Sequence, residues 1–168
     1  LKKAQTENFL GCGPLPVKDL CRIVSDYSQQ FEGTHSLGLN AHTDTVEALA
    51  VLPDGKLASG SWDKTVRVWE DGACLHTLAG HTRCVSALAA LPDGKLASGS
   101  WDKTVRVWEN GTCLLTLAGH TDWVTALSVL PDGKLVSGSA DATVRVWDIE
   151  SGVLLLRLTG HISAVNAL

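Results

Sequence analysis

Short apolar runs separated by polar turns occupy most of this chain, and no helical period competes with them inside the repeats. Val46 to Leu52 is a short apolar run and reads as a strand buried on both faces. Pro53-Asp54-Gly55 follows. Proline suits the second position of a type I turn, and glycine supplies the positive φ that closes a hairpin. Lys56 to Ser61 then reads as a second strand, and Asp63-Lys64 as another tight turn. Thr65 to Trp69 alternates and is rich in β-branched residues, which predicts a third strand. Asp71-Gly72 is a two-residue hairpin signal, and Cys74 to Ala79 completes a four-stranded antiparallel meander.

The meander repeats. LPDGKLASGSWDKTVRVWE, from Leu52 to Glu70, recurs letter for letter from Leu91 to Glu109, 39 residues on. A looser copy, LPDGKLVSGSADATVRVWD, runs from Leu130 to Asp148. The third unit has a longer last turn, Ile149 to Gly152, where the others have Asp71-Gly72 and Asn110-Gly111. A fixed period of this length means one supersecondary unit stacked repeatedly. It also means that a group found three times in equivalent places is scaffold before it is an active site.

Composition narrows the picture. The 168 residues are 45% hydrophobic and 19% charged, with net charge −4. The mild acidity speaks against a nucleic-acid binder, which carries a basic stripe. A continuous apolar run long enough to cross a bilayer is absent, so no membrane partner is expected. Met does not occur, which suggests a piece of a longer chain. The five cysteines are odd in number and form no CxxC, as expected of small buried or half-buried thiols in a reducing compartment, and an intracellular location is the expectation, the cytoplasm ahead of the nucleus. Phe9, Tyr27 and Phe31 all precede residue 36, whereas the six Trp all follow residue 60. That shift places a boundary near Gly33 to Leu39, dividing an N-terminal segment (1–36) from the repeats (37–168).

Gly80-His81, Gly119-His120 and Gly160-His161 alternate with Trp69-Glu70, Trp108-Glu109 and Trp147-Asp148. On these landmarks the region 37–168 resembles the WD-repeat family of β-propellers, although two of the dipeptides read WE and the first repeat has Ala41-His42. The resemblance implies an all-β fold, a partial propeller of three four-stranded blades (about 42–79, 81–118 and 120–159) with an incomplete fourth from 161. It also implies a hydrogen-bonded tetrad in each blade: His42, Ser59, Asp63 and Trp69; His81, Ser98, Asp102 and Trp108; His120, Ser137, Asp141 and Trp147. A buried indole N–H needs an acceptor, and serine relays from it to an imidazole held by the aspartate. A hydrolytic reading of Asp, His and Ser is disfavoured, because the set recurs three times and no serine sits in a nucleophile elbow. No HxxH or HExxH spacing occurs, so no metal, no cofactor and no enzymatic activity are expected.

Propellers of this family bind partners mainly where the loops before the first strands gather. There the repeats differ most. The residue before each tetrad aspartate is Trp62, Trp101 or Ala140, and the residue three past each histidine is Thr45, Cys84 or Trp123. Five past it lie Glu47, Ser86 and Thr125, and two past it Asp44, Arg83 and Asp122. Trp62, Trp101 and Trp123 belong to no tetrad. They either bind a partner or pack between blades. Arg67, Arg106 and Arg145 are expected to snorkel along the sheet face. The resulting expectation is a scaffold for other proteins or peptides, with self-association able to complete the ring.

Before the repeats, Leu20, Ile23, Val24, Tyr27 and Phe31 fall at helical spacing and predict an amphipathic helix over 15–31. Its opening, LPVKDL, is similar to the start of an F-box, which gives the alternative of a substrate-recruiting ubiquitin-ligase adaptor through residues 15–27. An outer strand is expected at Ser36 to Leu39, and the chain stops inside the first strand of a fourth blade. A closed ring needs four to eight blades, so a fragment of a longer propeller is the favoured expectation, ahead of self-assembly or an open arc.

Overall fold

The computed structural model describes residues 42–168. The helix expected at 15–31, its F-box-like opening and the strand expected at 36–39 lie outside the described residues. Those residues form twelve strands. β1 (Val46–Val51), β2 (Leu57–Ser61), β3 (Val66–Glu70) and β4 (Ala73–Leu78) make the first sheet. β5 (Val85–Ala90), β6 (Leu96–Ser100), β7 (Thr104–Glu109) and β8 (Thr112–Ala118) make the second. β9 (Val124–Val129), β10 (Leu135–Ser139), β11 (Val144–Trp147) and β12 (Leu154–Leu158) make the third. Each sheet is an antiparallel meander in sequence order.

Local chemistry sets the turns. The Gly55 amide donates to the Leu52 carbonyl at 2.9 Å around Pro53-Asp54, and Gly55 has φ +88°. This is a type I turn closed by a left-handed residue. Asp71 and Gly72 both have positive φ, 47° and 77°, the twist a two-residue hairpin requires. The turns before β3, β7 and β11 each put a non-glycine residue in the left-handed region: Lys64, Lys103 and Ala142.

One irregularity recurs in all three blades. The pairing of first and second strands skips a residue between Val46 and Ala48, between Val85 and Ala87, and between Val124 and Ala126. The extra residue of each bulge is Glu47, Ser86 or Thr125, so these side chains leave the ladder and are re-aimed.

The core lies between blades. Ala58, Val66 and Leu78 of the first sheet cluster with Val85, Leu96 and Trp108 of the second. Ala97, Val105 and Leu117 of the second cluster with Val124, Leu135 and Trp147 of the third. Close approach is built into Gly60, Gly99 and Gly138. A Cβ at each would lie 2.7, 2.6 and 2.8 Å from Val85 of the second sheet, Val124 of the third and Val165 of the segment after β12. The first strands pack on one another, β1 on β5 and β5 on β9.

This corrects the expectation that the first strands are buried on both faces. In β5, Val85, Ala87 and Ala89 are buried and the residues between them are half-buried. In β1, which packs on a single neighbouring first strand among the described residues, Val46 and Val51 are 46% and 48% exposed. The outermost strand, β12, exposes all five of its residues.

Candidate functional site

Each blade carries a chain of hydrogen bonds linking three of its segments. Trp69 Nε1 donates to Ser59 Oγ at 2.8 Å, Ser59 Oγ meets His42 Nε2 at 2.7 Å, and His42 Nδ1 meets Asp63 Oδ2 at 2.8 Å. Trp108, Ser98, His81 and Asp102 repeat it at 2.8 Å throughout, as do Trp147, Ser137, His120 and Asp141. One proton arrangement satisfies every atom. The indole donates to the hydroxyl, the hydroxyl to a neutral imidazole Nε2, and imidazole Nδ1–H to the carboxylate. A second imidazole proton would leave the hydroxyl hydrogen without an acceptor.

The aspartates are further secured. Burial pushes the Asp63 carboxyl up, but bonds from Thr65, His42 and Thr43 outweigh it and hold the group at about 2. The same opposition, won by the hydrogen bonds, holds Asp102 and Asp141 well below the ordinary carboxylate range. Burial keeps the His120 imidazole below its ordinary value despite Asp141. Ser98 and Ser137 are fully buried, each hydroxyl wedged between indole and imidazole, so this is a fastening rather than a nucleophile.

Two further residue sets belong to the fastening, and sequence reasoning missed them. Ser61, Ser100 and Ser139 are buried, accept the amide of the tetrad aspartate, and donate to the Asp44, Arg83 and Asp122 carbonyls. Thr65, Thr104 and Thr143 donate their hydroxyls to the tetrad carboxylates at 2.7, 2.6 and 2.6 Å. The available signal was their presence in all three repeats.

Above the tetrads lies the rim where the repeats diverge. Backbone bonds pair its variable positions: the Trp62 amide with the Thr45 carbonyl, Trp101 with Cys84, and Ala140 with Trp123, at 2.9, 3.0 and 2.8 Å. Each pair holds one large and one small side chain, and the third blade reverses which is which. The three indoles meet across the blades. Trp101 and Trp123 stack with centroids 4.2 Å apart and planes 7° from parallel. Trp62 packs on Trp101 at 5.2 Å, tilted by 58°. Trp62 and Trp123 remain 43% and 40% exposed. The indoles thus pack between blades, as one of the two expectations had it, while the end members keep part of their surface exposed.

The other rim residues separate into two groups. Thr45, Glu47 and Arg83 are exposed, and Asp122 and Ala140 are half-buried. Glu47 Oε2 accepts from Trp62 Nε1 at 3.1 Å, while Asp122 Oδ1 accepts the Trp123 amide at 2.9 Å. Cys84, Ser86 and Thr125 face inward, and this corrects their assignment to a partner surface. Cys84 is buried; its burial, then the charges of Glu47 and Asp44, push the thiol up to about 11. Ser86 Oγ donates to the Val124 carbonyl at 2.6 Å and Thr125 Oγ1 to the Val165 carbonyl at 2.5 Å, so Ser86 clasps the third sheet and Thr125 the segment after β12. Arg145 is likewise buried rather than snorkelling. Its guanidinium lies 6.0 Å from the Trp147 ring, as that of Arg106 lies 5.9 Å from the Trp108 ring. Gly80 and Gly119 leave room for these arginines, since a Cβ at either would collide with the guanidinium.

Comparison with known proteins places this geometry. Residues 33–70, 72–109 and 111–148 each match the family described as WD domain, G-beta repeat. A matched unit such as 72–109 takes β4 of one blade and β5, β6 and β7 of the next, so sequence units and sheets interlock. The chain is 45% identical over 53 residues to the ribosome biogenesis protein BOP1 homolog of Drosophila virilis, and 43% to that of Drosophila willistoni. That stretch is 30% of this chain and spans only 7% of the length of these relatives. The WD40 β-propeller domain of Doa1 superposes with TM-score 0.71 and 31% identity, over 77% of this chain and 45% of that one. The RRP9 WD40 repeats superpose with TM-score 0.73 and 32% identity, over 77% and 43%.

Proposed function

The chain belongs to the WD40 family of WD-domain, G-beta repeats, and on that premise we propose that it is a non-catalytic scaffold that binds other proteins through its loop rim. The carrying observation is the row of Trp62, Trp101 and Trp123. These are the tryptophans outside the tetrads, they touch one another across three blades, and the two end members are about two-fifths exposed. Large aromatic residues left at a surface mark interaction hot spots. Thr45, Glu47, Arg83, Asp122 and Ala140 form the polar edge of the proposed surface. The tetrads serve it by holding the loops rather than by touching the partner.

The biological setting is proposed from the relatives. Those named for ribosome biogenesis favour a place inside the cell within a large assembly, and they lend no support to the cytoplasm in particular. The family match begins at residue 33, so the F-box-like opening at 15–27 gains nothing from it, and the adaptor reading is set aside. Self-association through blade faces remains a secondary proposal, motivated by the exposed residues of β1 and β12.

The test is proximity labelling of the full-length protein carrying Trp62→Ala with Trp101→Ala, compared with Arg157→Ala on the outer strand. Loss of the same labelled proteins in the rim variant alone is expected. An unchanged set of labelled proteins in a folded rim variant would remove the rim from consideration.

A further inference from the structure

We propose that the tryptophan row receives lysine or arginine side chains carried on an extended segment of a protein partner. The inference rests on the scaffold reading above and narrows it to a partner chemistry.

The row offers an indole surface of the kind that attracts cations. Trp101 and Trp123 are stacked nearly parallel, and Trp62 is tilted against Trp101, so the exposed rings form a shallow corner rather than a flat apolar patch. A cation over an indole face is drawn to its quadrupole, most strongly for tryptophan. The groups flanking the corner have the matching sign. Glu47 Oε2 is bonded to Trp62 Nε1, which leaves Oε1 beside the ring for a second donor. Asp44 and Asp122 stand at equivalent places in the first and third blades, each using Oδ1 on the next amide.

Fixed charges of both signs lie behind the corner. At the base of the rim stand the tetrad carboxylates Asp63, Asp102 and Asp141, and the buried Arg145 guanidinium is close enough to Asp141 to offset part of its charge. The opposing cations of these loops and turns are Lys64, Arg83 and Lys103, and Lys103 Nζ is held by the Thr121 carbonyl at 2.8 Å. Beside Trp62, however, Asp44 and Glu47 act together, and their charges add to the upward push on the neighbouring Cys84 thiol, so the local field at this end of the row favours a cationic guest. Indoles also stack on unpaired bases, but the phosphates of a nucleic acid would meet this negative field.

The third blade supplies the geometry that makes the row continuous. Ala140 stands where Trp62 and Trp101 stand in their blades, and Trp123 stands where Thr45 and Cys84 stand. The exchange moves the third indole to the first-strand loop, which brings it against Trp101.

Calorimetric titration of the full chain with matched peptides tests this. One Gly/Ser-rich peptide carries spaced lysines, a second arginines, a third norleucines and a fourth glutamates; oligouridylate is the fifth probe. Saturable binding of the lysine and arginine peptides is expected, roughly fivefold or more tighter than norleucine. The combination of Glu47→Gln and Asp44→Asn should lose roughly fivefold for the lysine peptide with little change in melting temperature, and added salt should weaken binding. Equal affinity for norleucine and lysine overturns the cationic inference while leaving an interaction surface in place. Binding of oligouridylate in preference to the peptides overturns it in favour of nucleic acid, and binding of no peptide at all overturns it outright. Lysine-peptide binding unaffected by Trp62→Ala with Trp101→Ala shows that the rim reading itself has failed.

Discussion

Trp101 and Trp108 lie seven residues apart in one blade and behave as opposites. Trp108 is 3% exposed, donates to Ser98 Oγ at 2.8 Å and packs among Leu78, Val85 and Leu96. Trp101 sits half-buried on the rim, and its neighbours are Trp62 and Trp123 from the blades on either side. The first residue closes a hydrogen-bond chain inside its own blade. The second takes part in a contact that no single blade contains. The hydrogen bonds repeated in every unit thus hold a blade to itself, whereas the departures at Trp123 and Ala140 shape the rim.

The comparison can be broken at its strong end first. Trp108→Ala removes a buried indole and orphans the Ser98 hydroxyl, and should cost about 3–5 kcal/mol in denaturant unfolding, against roughly 0.5–1.5 kcal/mol for Trp101→Ala. Similar losses for the two would show that the rim row is as structural as the tetrads. Gly99→Ala comes next. Its new methyl presses on Val124 of the following blade, and a loss of about 1–3 kcal/mol is expected from the urea midpoint.

Acid loads the tetrads together with the turn carboxylates Asp54, Asp93, Asp132 and Asp148, which their lysine and amide bonds also hold below the ordinary range. Asp63, held at about 2 against an ordinary 3.8, contributes stability that is complete above pH 3.8 and lost as pH falls toward 2. His120, held below its ordinary 6.5, stays neutral in the fold, so the unfolded chain binds the proton first and stability declines as pH drops below 6.5. Both act in the same direction. Urea midpoints at pH 7, 5 and 3.5 should fall in that order, and a flat series would contradict the proton arrangement assigned here.

Smaller effects sharpen the picture. Ser86→Ala should cost about 1 kcal/mol by removing the clasp on the Val124 carbonyl, whereas Thr45→Ala should be near neutral, as judged by thermal unfolding. Ala142→Gly should gain up to about 1 kcal/mol, because Ala142 is held at φ 60° where an L side chain is strained.

The repeat made much of this legible. The Pro-Asp-Gly turn, the Asp-Gly hairpin and the four-strand meander are encoded within a few residues of where they occur. The placing of His, Ser, Asp and Trp needed only the register of neighbouring strands, because their partners lie 10 to 21 residues apart in one sheet. Other residues were not legible in this way. Ser86 and Thr125 read as loop-face positions, yet bulges re-aim them at the third sheet and the segment after β12. Cys84 read both as a small buried or half-buried thiol and, by its place after His81, as a rim position; it is packed away beside the charges of Glu47 and Asp44. Val46 and Val51 read as interior because apolar strands usually have cover on both faces.

The sequence by itself determined the blade: its strands, its turns and the candidate residues of its internal fastening, all set by local conformational preference and short-range pairing. Only the tertiary structure decided what passes between blades. It brought Trp62, Trp101 and Trp123 into one row, turned Ser86 and Thr125 into clasps, and left Glu47 to hold an indole instead. The reason is physical. Strand pairing is directional and register-bound, so it can be read along the chain. Sheet-on-sheet packing is non-directional, and which side chains meet depends on the rotation from one blade to the next.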